Sequence, residues 1–87
     1  MKIKKLTKQF RGYGLFKYCE EFSSLDITNF CQKRNWCWEQ WGPSSELRIC
    51  EKYDNHNKKW CWLFDDHRIR IYLGTDAEIS WYSLKWG

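Results

Sequence analysis

The first nineteen residues carry no acidic side chain, and the whole chain has one proline, one methionine and five glycines. No apolar run approaches the roughly 20 residues that a membrane-spanning helix needs. The opening MKIKKLTKQF has the positive charge of a secretory leader but not the apolar stretch of about 7–15 residues that follows in one. The expected compartment is therefore a cytoplasm, with no membrane partner. In that compartment the five cysteines (Cys19, Cys31, Cys37, Cys50, Cys61) read as reduced thiols, and their odd number suits that better than a disulfide framework. The sequence also lacks a Gly-rich phosphate loop, a nucleophile elbow and an HExxH helix. With 87 residues it is expected to form a single domain over 1–87, with residues 1–19 as a basic arm or strand.

Aromatic side chains are abundant: seven Trp, five Tyr and five Phe, 20% of the chain. Trp is rarely buried completely even in large proteins. A domain this small is therefore expected to leave part of its aromatic surface exposed, and such patches mark contact sites. Charge is distributed unevenly. Lys2, Lys4, Lys5, Lys8, Arg11 and Lys17 precede the first acid, Glu20, while the remaining 68 residues carry nine basic and eleven acidic side chains. A +6 arm on a slightly acidic body points to a partner bearing phosphates or carboxylates.

Local patterning gives an α+β expectation. Ile3 to Tyr18 alternates loosely and reads as one or two strands, with Phe16 and Tyr18 on one face and Tyr13 and Leu15 on the other. In SSLDITNFCQKRN, Ser23 or Ser24 can cap a helix, and Ile27, Phe30, Cys31 and Arg34 follow at helical spacing, with Asn35 as its stop. Residues 36–41, with Trp36, Trp38 and Trp41, read as a strand ending at Gly42-Pro43. A second strand is expected over Glu46–Tyr53, with Leu47, Ile49 and Tyr53 in phase. Asp54-Asn55-His56-Asn57 is turn chemistry. Trp60, Trp62 and Phe64 form the next alternation, Asp65-Asp66-His67 a reversal, and Arg68 to Leu73 the clearest half-buried strand. Thr75-x-x-Glu78 has the form of a capping box. Ser80 to Trp86 reads as a last strand, with a short helix as the alternative. The sum is an antiparallel meander of about five or six strands with one amphipathic helix near residues 24–34 on one face. Ile69, Ile71, Leu73, Tyr82, Leu84 and Trp86 would face that helix, and Arg68, Arg70, Tyr72 and Trp81 would face away.

The stretch RGYGLFKY, residues 11–18, partly resembles the RNA-stacking strand of the RNA-recognition motif, with Arg11, Gly12, Tyr13, Gly14 and Tyr18 on their places. That domain carries the signature on its third strand, after a strand and a helix. Here only ten residues precede it, and the one expected helix follows it. The resemblance fails on topology. What remains is local: Arg11 and Tyr13 on a glycine-containing segment suit base stacking. For metal, Cys50, His56, Cys61 and His67 have zinc-type chemistry but not zinc-type spacing. The clusters Asp54-Asn55-His56 and Asp65-Asp66-His67 have acid–base chemistry but sit where hairpin turns are expected, and Cys37 has no activating neighbour in sequence. No catalytic residue, metal or cofactor is expected.

Binding is the expected activity, through Arg11, Tyr13, Arg68, Arg70, Tyr72 and Trp81, because Trp, Tyr and Arg dominate interface hot spots. The expectation is a small non-enzymatic protein that docks on a larger host protein or nucleoprotein complex. In style it matches phage-encoded inhibitors of host enzymes or defence complexes, anti-CRISPR proteins among them, which act by steric occlusion. The alternative is a small single-stranded RNA or DNA binder using the same basic and aromatic residues.

Overall fold

The computed structural model describes residues 3–53 and 56–87. Their strands are β1 (Ile3–Lys5), β2 (Tyr18–Phe22), β3 (Trp60–Phe64) and β4 (Ile69–Leu73). The α-helices are α1 (Ile27–Trp41), α2 (Leu47–Lys52) and α3 (Asp76–Trp86), and a 3₁₀ turn over Ser24–Asp26 leads into α1. The class is α+β as expected, but the sheet has four strands, all antiparallel, in the order β1-β2-β4-β3. It is not a meander, because β4 sits between β2 and β3 and joins segments about fifty residues apart.

Three segments read as strands are helical. In α1, Phe30, Lys33 and Cys37 are buried at helical spacing, so the Trp-rich run 36–41 continues the helix past Asn35. Its strand-like composition yields to the burial that this spacing achieves against the sheet. The helix ends where Gly42, at φ +86°, donates its N–H to the Trp38 carbonyl, and Pro43 follows. In α2, Leu47 and Cys50 point inward, while Ile49 and Tyr53 are exposed. In α3, Thr75 Oγ1 accepts from the Ala77 N–H at 3.2 Å and donates to Glu78 Oε1 at 2.7 Å, so the helix start expected there does form. It runs eleven residues with Glu78 and Tyr82 inward, and Leu84, expected to face the core, is 80% exposed.

The β3–β4 hairpin matches expectation. Asp65 Oδ1 accepts the N–H groups of His67 and Arg68 at 2.8 and 2.7 Å, closing the reversal. Of the neighbouring turn, Asp54 and Asn55 lie outside the described residues. RGYGLFKY is not a strand until its last residue. It is a double turn in which Gly12 and Gly14 adopt φ near +95°, and Leu15 and Phe16 both donate to the Gly12 carbonyl.

The sheet is covered on both sides. One face carries Ile69, Ile71, Leu73 and Trp60 against Phe30 and Cys37 of α1 and Tyr82 of α3. The other carries Cys19, Cys61, Leu63 and Tyr72 against Leu6 and Phe16 of the arm and Leu47 and Cys50 of α2. All five residues of β4 are buried as a result. The alternation placed Arg70 and Tyr72 opposite the helix, as expected. Their exposure was the error, because the N-terminal arm and α2 fold over that face.

Candidate binding surface on α1 and α3

The six residues expected to form one surface are dispersed. Arg70 is buried: its guanidinium donates to the Tyr72 hydroxyl at 3.1 Å and Glu21 at 3.4 Å and lies 5.3 Å from the Phe10 ring centroid. Tyr72 is fully buried, and burial raises its pKa above the ordinary phenolic value despite the adjacent Arg70. Arg11 is taken by Glu51 of α2, with Nη2–Oε1 at 2.8 Å and Nε–Oε2 at 3.3 Å, a two-point pair that holds the arm down. Arg68 is half-buried beside Asp65 at 3.9 Å. Tyr13 and Trp81 are each about half exposed. They lie on opposite sides of the sheet, Tyr13 in the arm and Trp81 on α3.

The basic arm finds acids within its own chain. Lys4 pairs with Glu21 at 2.6 Å, Arg11 with Glu51, and Lys17 with Asp76 at 3.1 Å. The body acids thus answer half of the charge that the sequence set aside for phosphates. These pairs are partly or largely exposed, so each contributes little to stability. Their consequence is to orient the arm over Tyr72. Gly12 makes that approach possible: a Cβ there would lie 2.8 Å from Tyr72 Cε1.

The exposed aromatic surface expected from composition exists but is dispersed: Tyr13 lies in the arm, Tyr53 after α2, Phe64 on β3, and Trp38 and Trp81 on α1 and α3. Between these two helices runs a groove of about 250 Å³ lined by Trp36, Gln40, Trp81, Leu84 and Lys85. Trp36, one of its lining residues, is half-buried and held edge-on by Trp41, Tyr82 and Trp86, with centroids 5.4–6.0 Å apart. Trp81 Nε1 donates to Gln40 Oε1 at 3.1 Å, so this half-exposed ring is fixed by a bond across the groove. On the other flank of α1, Arg34, Asn35, Trp38, Glu39 and Trp62 line a second cleft, and the Arg34 guanidinium stacks 5.5 Å from the Trp62 centroid. Sequence reasoning read Trp36, Trp38 and Trp41 as one strand. Their separation onto two flanks is visible only at 100° per residue.

A third cleft, of about 530 Å³, opens beside a buried ionic group. Lys33 Nζ lies 3.0 Å from both oxygens of Glu20, and Tyr82 OH donates to Glu20 Oε1 at 2.5 Å. The Lys33 ammonium sits 5.5–5.8 Å from the centroids of Phe22, Tyr82 and Trp86. Glu20 and Lys33 are both more than nine-tenths buried. The Tyr82 hydroxyl is pushed far above the ordinary phenolic range, first by burial and then by the Glu20 carboxylate. The group is charge-matched internally, and its partners are all from the fold itself.

Among the described residues no set of three or more His, Cys, Asp or Glu is placed to share a metal ion. Cys50 and Cys61 are both buried in the cluster that also holds Cys19 and Phe16, and the His56 ring lies 5.9 Å from the Phe16 ring, centroid to centroid. His67 is at the β3–β4 hairpin, beside Asp65, Asp66 and Phe22. Cys37 is fully buried, and burial drives its thiol pKa up, away from reactivity. Among the described helices none is long and apolar enough to cross a membrane. Compared with protein-family models, with curated proteins and with solved structures, the chain gives no significant match.

Proposed function

We propose that this chain is a non-enzymatic docking protein that binds a larger protein through the aromatic groove between α1 and α3. One observation carries the reading. Trp81 and Leu84 are 51% and 80% exposed on a helix whose opposite side is anchored by the buried Tyr82 and Glu78. Solvent-facing apolar side chains on a rigid, well-capped helix have little ordering entropy left to lose on association. Trp is among the residues most enriched at interface hot spots, and Trp36, which lines the same groove, offers an incoming side chain a further apolar contact. Lys85 at the rim favours an acidic border on the partner. The mode of action is occlusion: the chain covers the surface it binds. Phage-type inhibitors of host enzymes or defence complexes work in this way, and this is the narrower form of the proposal.

A second reading, single-stranded nucleic acid, is favoured by the stacked Arg34–Trp62 pair beside exposed Trp38, which offers a charge and flat rings in one cleft. It no longer involves Arg70 or Tyr72. The test is a tagged pull-down from host lysate, with and without nuclease, using wild type and a Trp81→Ala/Leu84→Glu variant. One stoichiometric protein that survives nuclease and is lost in the variant supports docking. Recovery of nucleic acid alone, with affinity falling steeply as salt rises, overturns docking in favour of the second reading.

A further inference from the structure

On α1, Arg34 and Trp38 stand four residues apart, as do Asn35 and Glu39, so the four side chains share one flank of the helix. With Trp62 of β3 they line a cleft of about 460 Å³. Its two indoles are backed by Trp60, which is fully buried and whose Nε1 donates to the Gly42 carbonyl at 2.9 Å. The Trp60 ring meets Trp38 edge-on at 6.5 Å and Trp62 at 5.6 Å, centroid to centroid. Both walls are therefore set before any ligand arrives, which leaves little side-chain entropy to lose on binding.

The polar side chains of this cleft are not used by the fold. Of the arginines, Arg11, Arg48, Arg68 and Arg70 pair with Glu51, Glu46, Asp65 and Glu21. Among the described residues Arg34 has no acidic partner, and its guanidinium lies over the Trp62 ring, 5.5 Å from the centroid. Asn35 and Glu39 are exposed and likewise enter no side-chain hydrogen bond among the described residues. Trp38, between them, is about half exposed. A spare guanidinium and a spare carboxylate beside a flat ring complement a flat ligand with a negative charge at one end and N–H donors at the other. We propose that the cleft is a guanine-nucleotide site, with the base stacked on Trp38, the phosphate on Arg34 and the donor edge of the base on Glu39.

Glu39 selects the base. An ionised carboxylate only accepts hydrogen bonds, through two oxygens side by side. Guanine alone among the common bases sets two adjacent donors, N1–H and the exocyclic amine, on its base-pairing edge. Adenine and cytosine place a ring acceptor beside their amine, and uracil flanks its single N–H with two carbonyls, so each brings lone pairs against Glu39. Stacking accepts any base, so Trp38 supplies affinity and Glu39 discrimination. Arg34 holds the phosphate by charge-assisted bonds. A free nucleotide and a guanosine within a single strand share this chemistry. The proposal rests on the nucleic-acid reading of this cleft, which it narrows, and makes no use of the groove between α1 and α3.

The test titrates the ¹⁵N-labelled full chain with 5′-GMP, 5′-AMP, 5′-CMP and 5′-UMP, and with decauridylate carrying one central guanosine or none. The readout is the indole N–H resonances, with Trp38 and Trp62 assigned by Trp38→Phe and Trp62→Phe. Expected are shifts at these two resonances with 5′-GMP, and an affinity at least about tenfold above that for the other three nucleotides. Glu39→Gln should remove most of that preference and leave 5′-AMP unchanged; its side chain is exposed, so the variant probes the site and not the fold. Arg34→Gln should weaken 5′-GMP roughly tenfold and leave guanosine unchanged. Tighter binding of the guanosine-bearing strand than of 5′-GMP supports the site as a reader of single strands, and the reverse supports it as a site for the free nucleotide. Equal affinity for all four nucleotides, a preference unmoved by Glu39→Gln, or shifts confined to other indoles overturns the proposal. Plain decauridylate binding as tightly as the guanosine-bearing strand overturns it while the nucleic-acid reading stands. No response to any nucleotide or strand overturns both.

Discussion

Replacing Lys33 with methionine tests the interior of this fold more severely than any surface change. Lys33 and Glu20 are both more than nine-tenths buried, with the ammonium 3.0 Å from both carboxylate oxygens. Methionine keeps the apolar stem and removes the charge, leaving the Glu20 carboxylate in a low-dielectric site with one remaining donor, Tyr82 OH. Breaking a buried pair in this way costs about 3–5 kcal/mol. A domain of this length has a total stability of roughly 4–13 kcal/mol. At about 4–8 °C per kcal/mol, Tm should fall by roughly 12–40 °C. The assay is urea unfolding followed by Trp fluorescence, with thermal melts beside it. The partner experiment removes the whole group: Lys33→Met, Glu20→Leu and Tyr82→Phe together should lie within about 1 kcal/mol of wild type or exceed it, since apolar replacement of a buried ion pair is often neutral or stabilising. A loss below about 1 kcal/mol for Lys33→Met alone would mean that the ammonium is solvated. A triple variant as weak as the single would mean that packing, not charge, dominates the site. Either result would refute the reasoning.

Arg70→Glu should destabilise by about 3 kcal/mol or more, because it sets a buried carboxylate beside Glu21 under Phe10, whereas Trp81→Ala should leave the urea midpoint within about 0.5 kcal/mol of wild type. Equal effects would contradict the two-sided covering of β4. Thr75→Ala removes the side-chain acceptor for the Ala77 N–H and should cost about 1 kcal/mol, read from the urea midpoint at constant slope. Among the described residues three carboxylates have pKa values depressed in the fold: Asp76 by the Tyr18 hydroxyl and then Lys17, Asp65 by the backbone N–H of His67, and Glu21 by Lys4. A folded-state pKa below the unfolded one stabilises above the ordinary carboxylate range near 4 and is lost as pH falls through the folded value. Stability should therefore fall on acidification below about pH 4–5. Asp76→Asn should make that acid limb shallower, and an unchanged limb would show that the Tyr18 bond is absent in solution.

What could be read from sequence was local. The β3–β4 hairpin needs only its alternation and the Asp65 side chain that closes it, and the α3 start needs only Thr75 and Glu78. The extent of α3 was misread because Tyr82, Leu84 and Trp86 fit a period of two in a seven-residue window. Tyr82 and Trp86 fit a helix equally well, four residues apart. β2 was hidden for a different reason. Its sequence, YCEEF, places Glu20 on the helix-covered face, where a carboxylate signals solvent unless its partners are known. Those partners, Lys33 and Tyr82, lie 13 and 62 residues away.

The candidate surface failed on one inference, and the failure is physical. Period-two alternation divides a strand into two faces; it does not say how many layers cover them. Arg70 and Tyr72 do point away from α1, and a one-helix, one-sheet domain would have put them in water. The missing layer was present in the charges. A +6 arm attached to a body with an excess of acids has an intrachain partner as well as an external one, and effective concentration favours the tethered one. Lys4–Glu21, Arg11–Glu51 and Lys17–Asp76 are that choice made three times. With the arm folded down, the face that alternation assigned to solvent becomes core. Part of the aromatic excess, Trp38 and Trp81, then emerges on the other side of the sheet, on helices over segments whose alternation reads as strand. Trp81 is exposed as expected, but by its place on the outer side of α3 rather than by any strand phase.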